Sequence, residues 1–143
     1  MLYARIVLAK TDYKLMPLST ENGYIINRSP NIANLNRIYK EYCSYKKFKS
    51  VMPIFDSEYR DSNNDVMSYY QNNRQIAFSL LRRYDNDNVE AIQFAWDYKT
   101  PELNLGIETL KHECAFYKAA GFKYLYLGGA EEYKKQIDGF EII

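Results

Sequence analysis

Histidine is almost absent from this sequence: His112 stands alone among 143 residues. Cysteine is hardly commoner, with Cys43 and Cys114 far apart. One His and two separated Cys give no zinc-ligand spacing, so no metal is expected. Both cysteines fall on predicted helix stripes, where they read as small buried hydrophobes rather than a disulfide. No run approaches the roughly 18 apolar residues of a membrane span. Met1-Leu-Tyr-Ala-Arg5 lacks the basic start and apolar core of a secretory signal. The expectation is a soluble, cytoplasmic protein with no membrane contact. Neither charge sign is in excess. The net charge is +1, so no strong overall field draws the chain to nucleic acid. There is no internal repeat, linker or low-complexity tail.

What is abundant is tyrosine, with 15 copies, alongside much Asn and Lys. An AT-rich genome produces the same bias, and aromatic-rich clefts also suit stacking on bases. At 143 residues, residues 1–143 read as one domain large enough for a real core.

Leu2 to Ala9 reads as a first strand. Lys10 to Glu21, broken by Pro17, reads as a loop, and Gly23 to Ile26 as a short strand or an approach to a helix. Ser29-Pro30 is a helix start, followed by an apolar stripe of Ile32, Leu35, Ile38, Tyr42 and Tyr45. Arg37, Lys40, Lys46, Lys47 and Lys49 bias this region to the basic side. That is a solvated face or contact with a phosphate-bearing partner. Phe48 to Phe55 reads as extended and Asp56 to Asn64 as polar and flexible. Ser62 to Asp65 resembles a capping box before a short helix at Val66–Tyr70, ended by Asn72-Asn73. Residues 74–98 read as an antiparallel hairpin turning at Tyr84–Asn88. Asp85 and Asp87 fit as turn residues. Glu131 to Ile137 suggests a short helix and Phe140 to Ile143 a last strand.

The most legible stretch runs from Glu90 to Gly129. Glu90 to Tyr98 is rich in aromatic and β-branched residues and reads as a strand. After a turn at Lys99–Glu102, a helix opens at Leu103 and runs to about Ala120, with Leu103, Ile107, Leu110, Cys114 and Tyr117 as its apolar stripe. Glu108, Lys111, His112 and Lys118 lie off that stripe, so His112 is expected at the surface, while mid-helix Glu113 reads as either a surface residue or a structural one. Gly121 stops the helix. Phe122 to Leu127 is a second strand, closed by Gly128-Gly129. A strand–helix–strand unit implies two neighbouring parallel strands. Gly106 is unusual in a helix, where Gly costs up to about 1 kcal/mol relative to Ala. In the first turn it lets an anionic group approach free backbone N–H groups. It equally lets the helix pack closely on a sheet.

The run Phe94-Ala-Trp-Asp-Tyr98, then Leu105-Gly106, Glu113, Ala119-Ala-Gly121 and Tyr124-Leu-Tyr-Leu-Gly128, resembles the C-terminal region of arginyl-tRNA–protein transferases. These belong to the GCN5-related N-acyltransferase (GNAT) superfamily. The resemblance covers roughly residues 74–143. It implies an α/β fold: a central, splayed mixed β-sheet flanked by helices, taking an acyl donor at the start of the helix after Tyr98. The order of predicted elements agrees with that arrangement. Ordinary CoA-dependent members carry Gln/Arg-x-x-Gly-x-Gly/Ala, whereas this chain offers Pro101-Glu-Leu-Asn-Leu-Gly106. The donor is therefore open between acyl-CoA and aminoacyl-tRNA.

Acyl transfer to an amine needs a held donor, an acid for the leaving group and a base for the amine. The resemblance places the donor on Tyr98, Leu105, Gly106 and Ile107. It makes Tyr133 the acid, since Tyr133…Gly139-Phe140-Glu141 resembles a GNAT segment whose Tyr protonates the leaving group. The gap from Tyr to Gly is longer here. Asp97, at the end of the central strand, is the candidate base or a turn cap. The expected function is acyl or aminoacyl transfer to an amine on a protein or a nucleic-acid base, with tRNA or DNA contact open. Two alternatives stand beside it: a non-catalytic GNAT-like binding module, favoured if a Tyr or Trp closes over Gly106, and a phage-type DNA base-modification enzyme.

Overall fold

The computed structural model describes residues 3–26, 30–47, 54, 56–99, 101–128 and 132–143. They form seven strands and three α-helices: β1 (Ala4–Val7), β2 (Asn22–Ile26), α1 (Ile32–Lys46), α2 (Asp56–Arg60), β3 (Asn64–Gln71), β4 (Arg74–Arg83), β5 (Asn88–Trp96), α3 (Leu105–Ala119), β6 (Tyr124–Tyr126) and β7 (Phe140–Ile142). The strand order is β2-β3-β4-β5-β6-β1-β7. The sheet is mixed: β1 runs antiparallel to β6 and β7, and β2 antiparallel to β3, while β5 and β6 are parallel. That parallel pair is the one a crossover helix requires, and α3 supplies the crossover. Among the described residues no helix is long and apolar enough to cross a membrane.

The chain folds as two compact units, and each is discontinuous in sequence. One comprises Met1–Met16, Leu81–Ile92 and Leu103–Ile143. In it Ile6, Leu8, Val89, Cys114, Tyr117 and Leu125 are fully buried. α3 ends in a Schellman motif: the Phe122 N–H donates to the Tyr117 carbonyl at 2.9 Å, and the Gly121 N–H to that of Lys118 at 3.0 Å. Gly121 has φ +95°, which a side chain would resist. The helix stop read from Gly121 is therefore present with its expected chemistry.

The other unit comprises Pro17–Leu80 and Gln93–Glu102. Its core gathers Leu35 and Ile38 of α1, Tyr59 of α2, Val66 of β3, Phe78 and Leu80 of β4, and Ala95 of β5. Seven consecutive residues of β4, Gln75 to Leu81, are buried. A strand covered on both faces needs polar groups matched inside, and the Gln75 side chain donates to Ser68 Oγ at 3.0 Å.

Several elements differ from the sequence reading. Val66–Tyr70, expected as a capped helix, is the middle of β3. Its residues Val66 to Tyr69 are all buried, and a strand buried on both faces reads as a continuous run rather than an alternation. Asn72 and Asn73 do not end a helix. With φ of 52° and 63° they form the left-handed pair of a type I′ turn joining β3 to β4. The segment expected to be flexible from Asp56 holds α2, pinned by Tyr59 edge-on to Phe78 at 5.9 Å. Gly23–Ile26 is strand, and the helix expected near the C-terminal end is a 3₁₀ turn, Glu132–Gln136. The start of α1 is Asn31, whose side-chain oxygen accepts the Asn34 N–H at 3.2 Å. The proposed cap at Ser29 lies outside the described residues, as do Leu2, Phe48–Pro53, Phe55, Thr100 and Gly129. The 84–88 turn is as read: Asp85 Oδ1 accepts the N–H groups of Asp87 and Asn88, each at 2.8 Å.

Candidate functional site

The helix expected to open at Leu103 opens two residues later. Pro101–Leu103 is a 3₁₀ turn, and Asn104 follows in left-handed backbone, φ 49°, with no side-chain capping bond. The Asn104 carbonyl takes the N–H groups of Ile107 at 3.3 Å and Glu108 at 3.1 Å. The amides of Leu105 and Gly106 thus receive nothing from the residue that ordinarily caps a helix. Leu105 and Ile107 are buried, at 7% and 4% exposure, so both point inward. Gly106 stands between them, half-buried.

Against Gly106 lies Tyr133. A Cβ built on Gly106 would stand 3.6 Å from Tyr133 Cε2 and 3.9 Å from Cζ, which is ordinary van der Waals contact. Two residues singled out separately, one for the donor and one for the acid, are therefore neighbours. Tyr133 sits on the Glu132–Gln136 turn and is 39% exposed. Lys134 Nζ lies 5.8 Å from its ring centroid and donates to the Leu127 carbonyl at 3.4 Å.

Asp97 and Tyr98 follow the end of β5, in the other unit. The Asp97 carboxylate is 2% exposed and pairs with Arg74 at 2.5 Å through Oδ2, while Oδ1 accepts the Lys99 N–H at 3.1 Å. It is both an ion-pair partner and a turn cap. Tyr98 takes left-handed backbone, φ 58°, a genuine outlier for a bulky residue. Its ring stacks on Tyr45 at 3.9 Å and 12°, tilts against Trp96 at 4.3 Å, and faces Tyr42 at 5.8 Å. The stripe reading of α1 had put Tyr45 inside; it is 59% exposed.

His112, expected at the surface of α3, is buried at 1% exposure, and Glu113, open between surface and structural roles, is buried at 3%. The helix is covered well beyond one stripe, which its sequence periodicity does not reveal. His112 Nδ1 accepts the Met16 N–H at 3.0 Å. Burial pushes its pKa down to about 4, so the imidazole is neutral at pH 7 with its proton on Nε2. Burial also raises the Cys114 thiol, with the neighbouring Glu113 carboxylate adding to it, so it is no nucleophile. Both cysteines are free and buried. Among the described residues no group of three or more His, Cys, Asp or Glu is placed to hold a metal ion.

Two groupings escaped the sequence. Arg5 donates to Glu141 at 2.6 Å and lies over Tyr124 at 4.1 Å, drawing β1, β6 and β7 together. Its partners lie more than a hundred residues away, so no local signal exists. The Tyr42–Tyr45 spacing on α1 was visible, but its partner Tyr98 was not. A cavity of about 400 Å³ lined by Val7, Ala9, Lys118 and Gly121–Tyr124 contains none of the predicted residues.

The mixed seven-stranded sheet, with a parallel pair linked by α3, has the GNAT-like α/β fold. The chain is similar in structure to the C-terminal (DUF2156) domain of a protein described as a lysylphosphatidylglycerol synthetase from Agrobacterium fabrum. The TM-score is 0.66 at 12% identity, covering 90% of this chain and 46% of that one. It is similar to L-PGS from Bacillus licheniformis at TM-score 0.60 and 15% identity, with the same coverages of 90% and 46%. It is also similar to an aminoglycoside acetyltransferase from an uncultured soil metagenomic sample, solved with trehalose, at TM-score 0.56, 10% identity and 84% of both chains. The chain thus spans about half the length of the first two. No protein-family model and no curated protein matches it.

Proposed function

We propose that this chain is an N-acyltransferase that moves an acyl or aminoacyl group from acyl-CoA or aminoacyl-tRNA to an amine. The packing of Tyr133 against Gly106 carries this reading, because it sets a phenol beside uncapped helix amides. In this reading the amides of Leu105 and Gly106 hold a phosphate of the donor beside Ile107, the positive end of α3 favouring the anion. The amine nitrogen attacks the acyl carbon and the new C–N bond forms. The C–S bond of a thioester, or the C–O bond of an aminoacyl ester, breaks. Tyr133 Oη gives its proton to the departing sulfur or oxygen, and the proton lost by the amine leaves to solvent.

The same contact favours a second reading. The Tyr133 ring covers Gly106, as it would in a GNAT-like binding module that has lost its donor site. Calorimetry with acetyl-CoA, free CoA and charged tRNA separates the two. For an enzyme, wild type binds one donor, Gly106→Trp loses that binding, and Tyr133→Phe keeps it while transfer falls about 100-fold or more. For the module, wild type binds none, Tyr133→Ala opens the amides to phosphate, and no variant transfers. Wild type binding a donor unaffected by Gly106→Trp overturns both.

A further inference from the structure

At the C-terminal end of α1, rings and cations are grouped in a way that acyl transfer does not use. Tyr45 stacks on Tyr98 at 3.9 Å, and Trp96 tilts against the Tyr98 ring at 4.3 Å, so the three form a ladder of rings that is stacked at its Tyr45 end. Tyr98 is held in left-handed backbone within that ladder, a constraint met most often at functional sites. Tyr45 is 59% exposed even though one face of its ring meets Tyr98. Lys46 Nζ lies 5.6 Å from the Tyr98 centroid.

The fully exposed charges on α1 and its C-cap are all cationic. α1 and its C-cap carry Arg37, Lys40, Lys46 and Lys47 against a single carboxylate, Glu41, which pairs Arg37 at 3.4 Å. Lys40, Lys46 and Lys47 are exposed. The remaining carboxylate nearby, Asp97, is buried against Arg74, whose own side chain is 44% exposed. Exposed Lys46 therefore stands beside the rings, and exposed Lys47 follows it at the C-cap of the helix. Lys46 and Lys47 also complement the negative end of the helix dipole, a role that needs no ring beside them.

We infer that this patch binds a single-stranded polynucleotide. A base stacks on Tyr45 and extends the grouping, and the flanking phosphates lie on Lys46 and Lys47. An acidic peptide would use the cations and leave the ladder idle. A duplex hides its base faces in its own stack. The inference stands apart from the acyl-transfer reading and can hold if that reading fails.

The test is fluorescence anisotropy of short labelled oligo-uridylate, oligo-thymidylate and a duplex of equal length, on the full chain, across a salt series. Wild type is expected to bind the single strands more tightly than the duplex. Tyr45→Leu, at an exposed position, weakens single-strand binding about 10-fold. The double variant Lys46→Gln, Lys47→Gln lowers the slope of log affinity against log salt by about 1.4, since each phosphate contact on a single strand contributes about 0.7. Tyr84→Leu, an equally exposed tyrosine at 57%, leaves affinity unchanged. A preference for uridylate or for thymidylate supports the inference and names the sugar. It is overturned by absence of binding at low salt, by tighter duplex binding, or by Tyr45→Leu equal to wild type. Equal losses in Tyr45→Leu and Tyr84→Leu would also overturn it. Circular dichroism checks each fold, and if Tyr45→Leu misfolds the lysine pair decides through its slope.

Discussion

α1 and α3 have the same length, 15 residues each, and are used in opposite ways. α1 buries three residues, Leu35, Ile38 and Cys43, and turns cations outward. α3 buries nine, including Thr109, His112 and Glu113. Thr109 resolves its burial locally by donating to the Leu105 carbonyl at 2.6 Å, whereas His112 depends on Met16 from a distant segment. Their first turns differ too: Asn31 caps α1 with its side chain, while Asn104 enters α3 left-handed and caps nothing. α1 is thus closed at its start by a side chain, whereas α3 has no side-chain cap and is held in place by the packing of its body.

The comparison can be broken or sharpened by measurement. The largest effect is expected from Tyr117→Ala in α3. Tyr117 is 1% exposed and edge-on to Phe116 and Phe122 at 5.1 and 5.3 Å, so its loss should cost about 3–5 kcal/mol in urea unfolding. Tyr45→Ala in α1 should cost less than about 1 kcal/mol, because its ring is mostly in water. Equal costs would erase the contrast.

Next comes acid. The unfolded imidazole of His112 titrates near 6.5 and the folded one near 4, so between these values the unfolded chain binds more protons. Stability attributable to His112 is therefore full above pH 6.5 and is lost as pH falls towards 4, by up to about 3 kcal/mol. His112→Gln should flatten that dependence; a wild-type slope surviving in the variant would assign it elsewhere. The smallest effect concerns the caps. Asn31→Ala should cost about 1 kcal/mol. Asn104→Gly should cost nothing, since glycine suits a left-handed position and no cap is lost. Thermal unfolding of both variants checks the pair.

How much of this was legible follows from range. The strand–helix–strand unit was readable because the helical stripe, Gly121 and the flanking strands are local signals, and they predicted the parallel β5–β6 pair. β3 was misread because Val66 to Tyr69 are buried on both faces, which erases the alternation that identifies a strand. Gly106 and Tyr133 could each be named, but 27 positions separate them in the chain, and only the fold shows their rings and backbone in contact. The burial of His112 and the strained backbone of Tyr98 had no sequence signature, since each is set by a partner from another segment.

One pairing bears on how the protein is made. β1 hydrogen-bonds on one side to β6 and on the other to β7, with Ala4 opposite Ile142 and Arg5 opposite Tyr126. Arg5 and Ile6 of β1 thus pair with residues more than a hundred positions further along the chain, and Ile6 is fully buried. Closing that part of the sheet is a non-local step with a large loop-closure cost, so this unit is expected to form only once residues 124–142 are available to it.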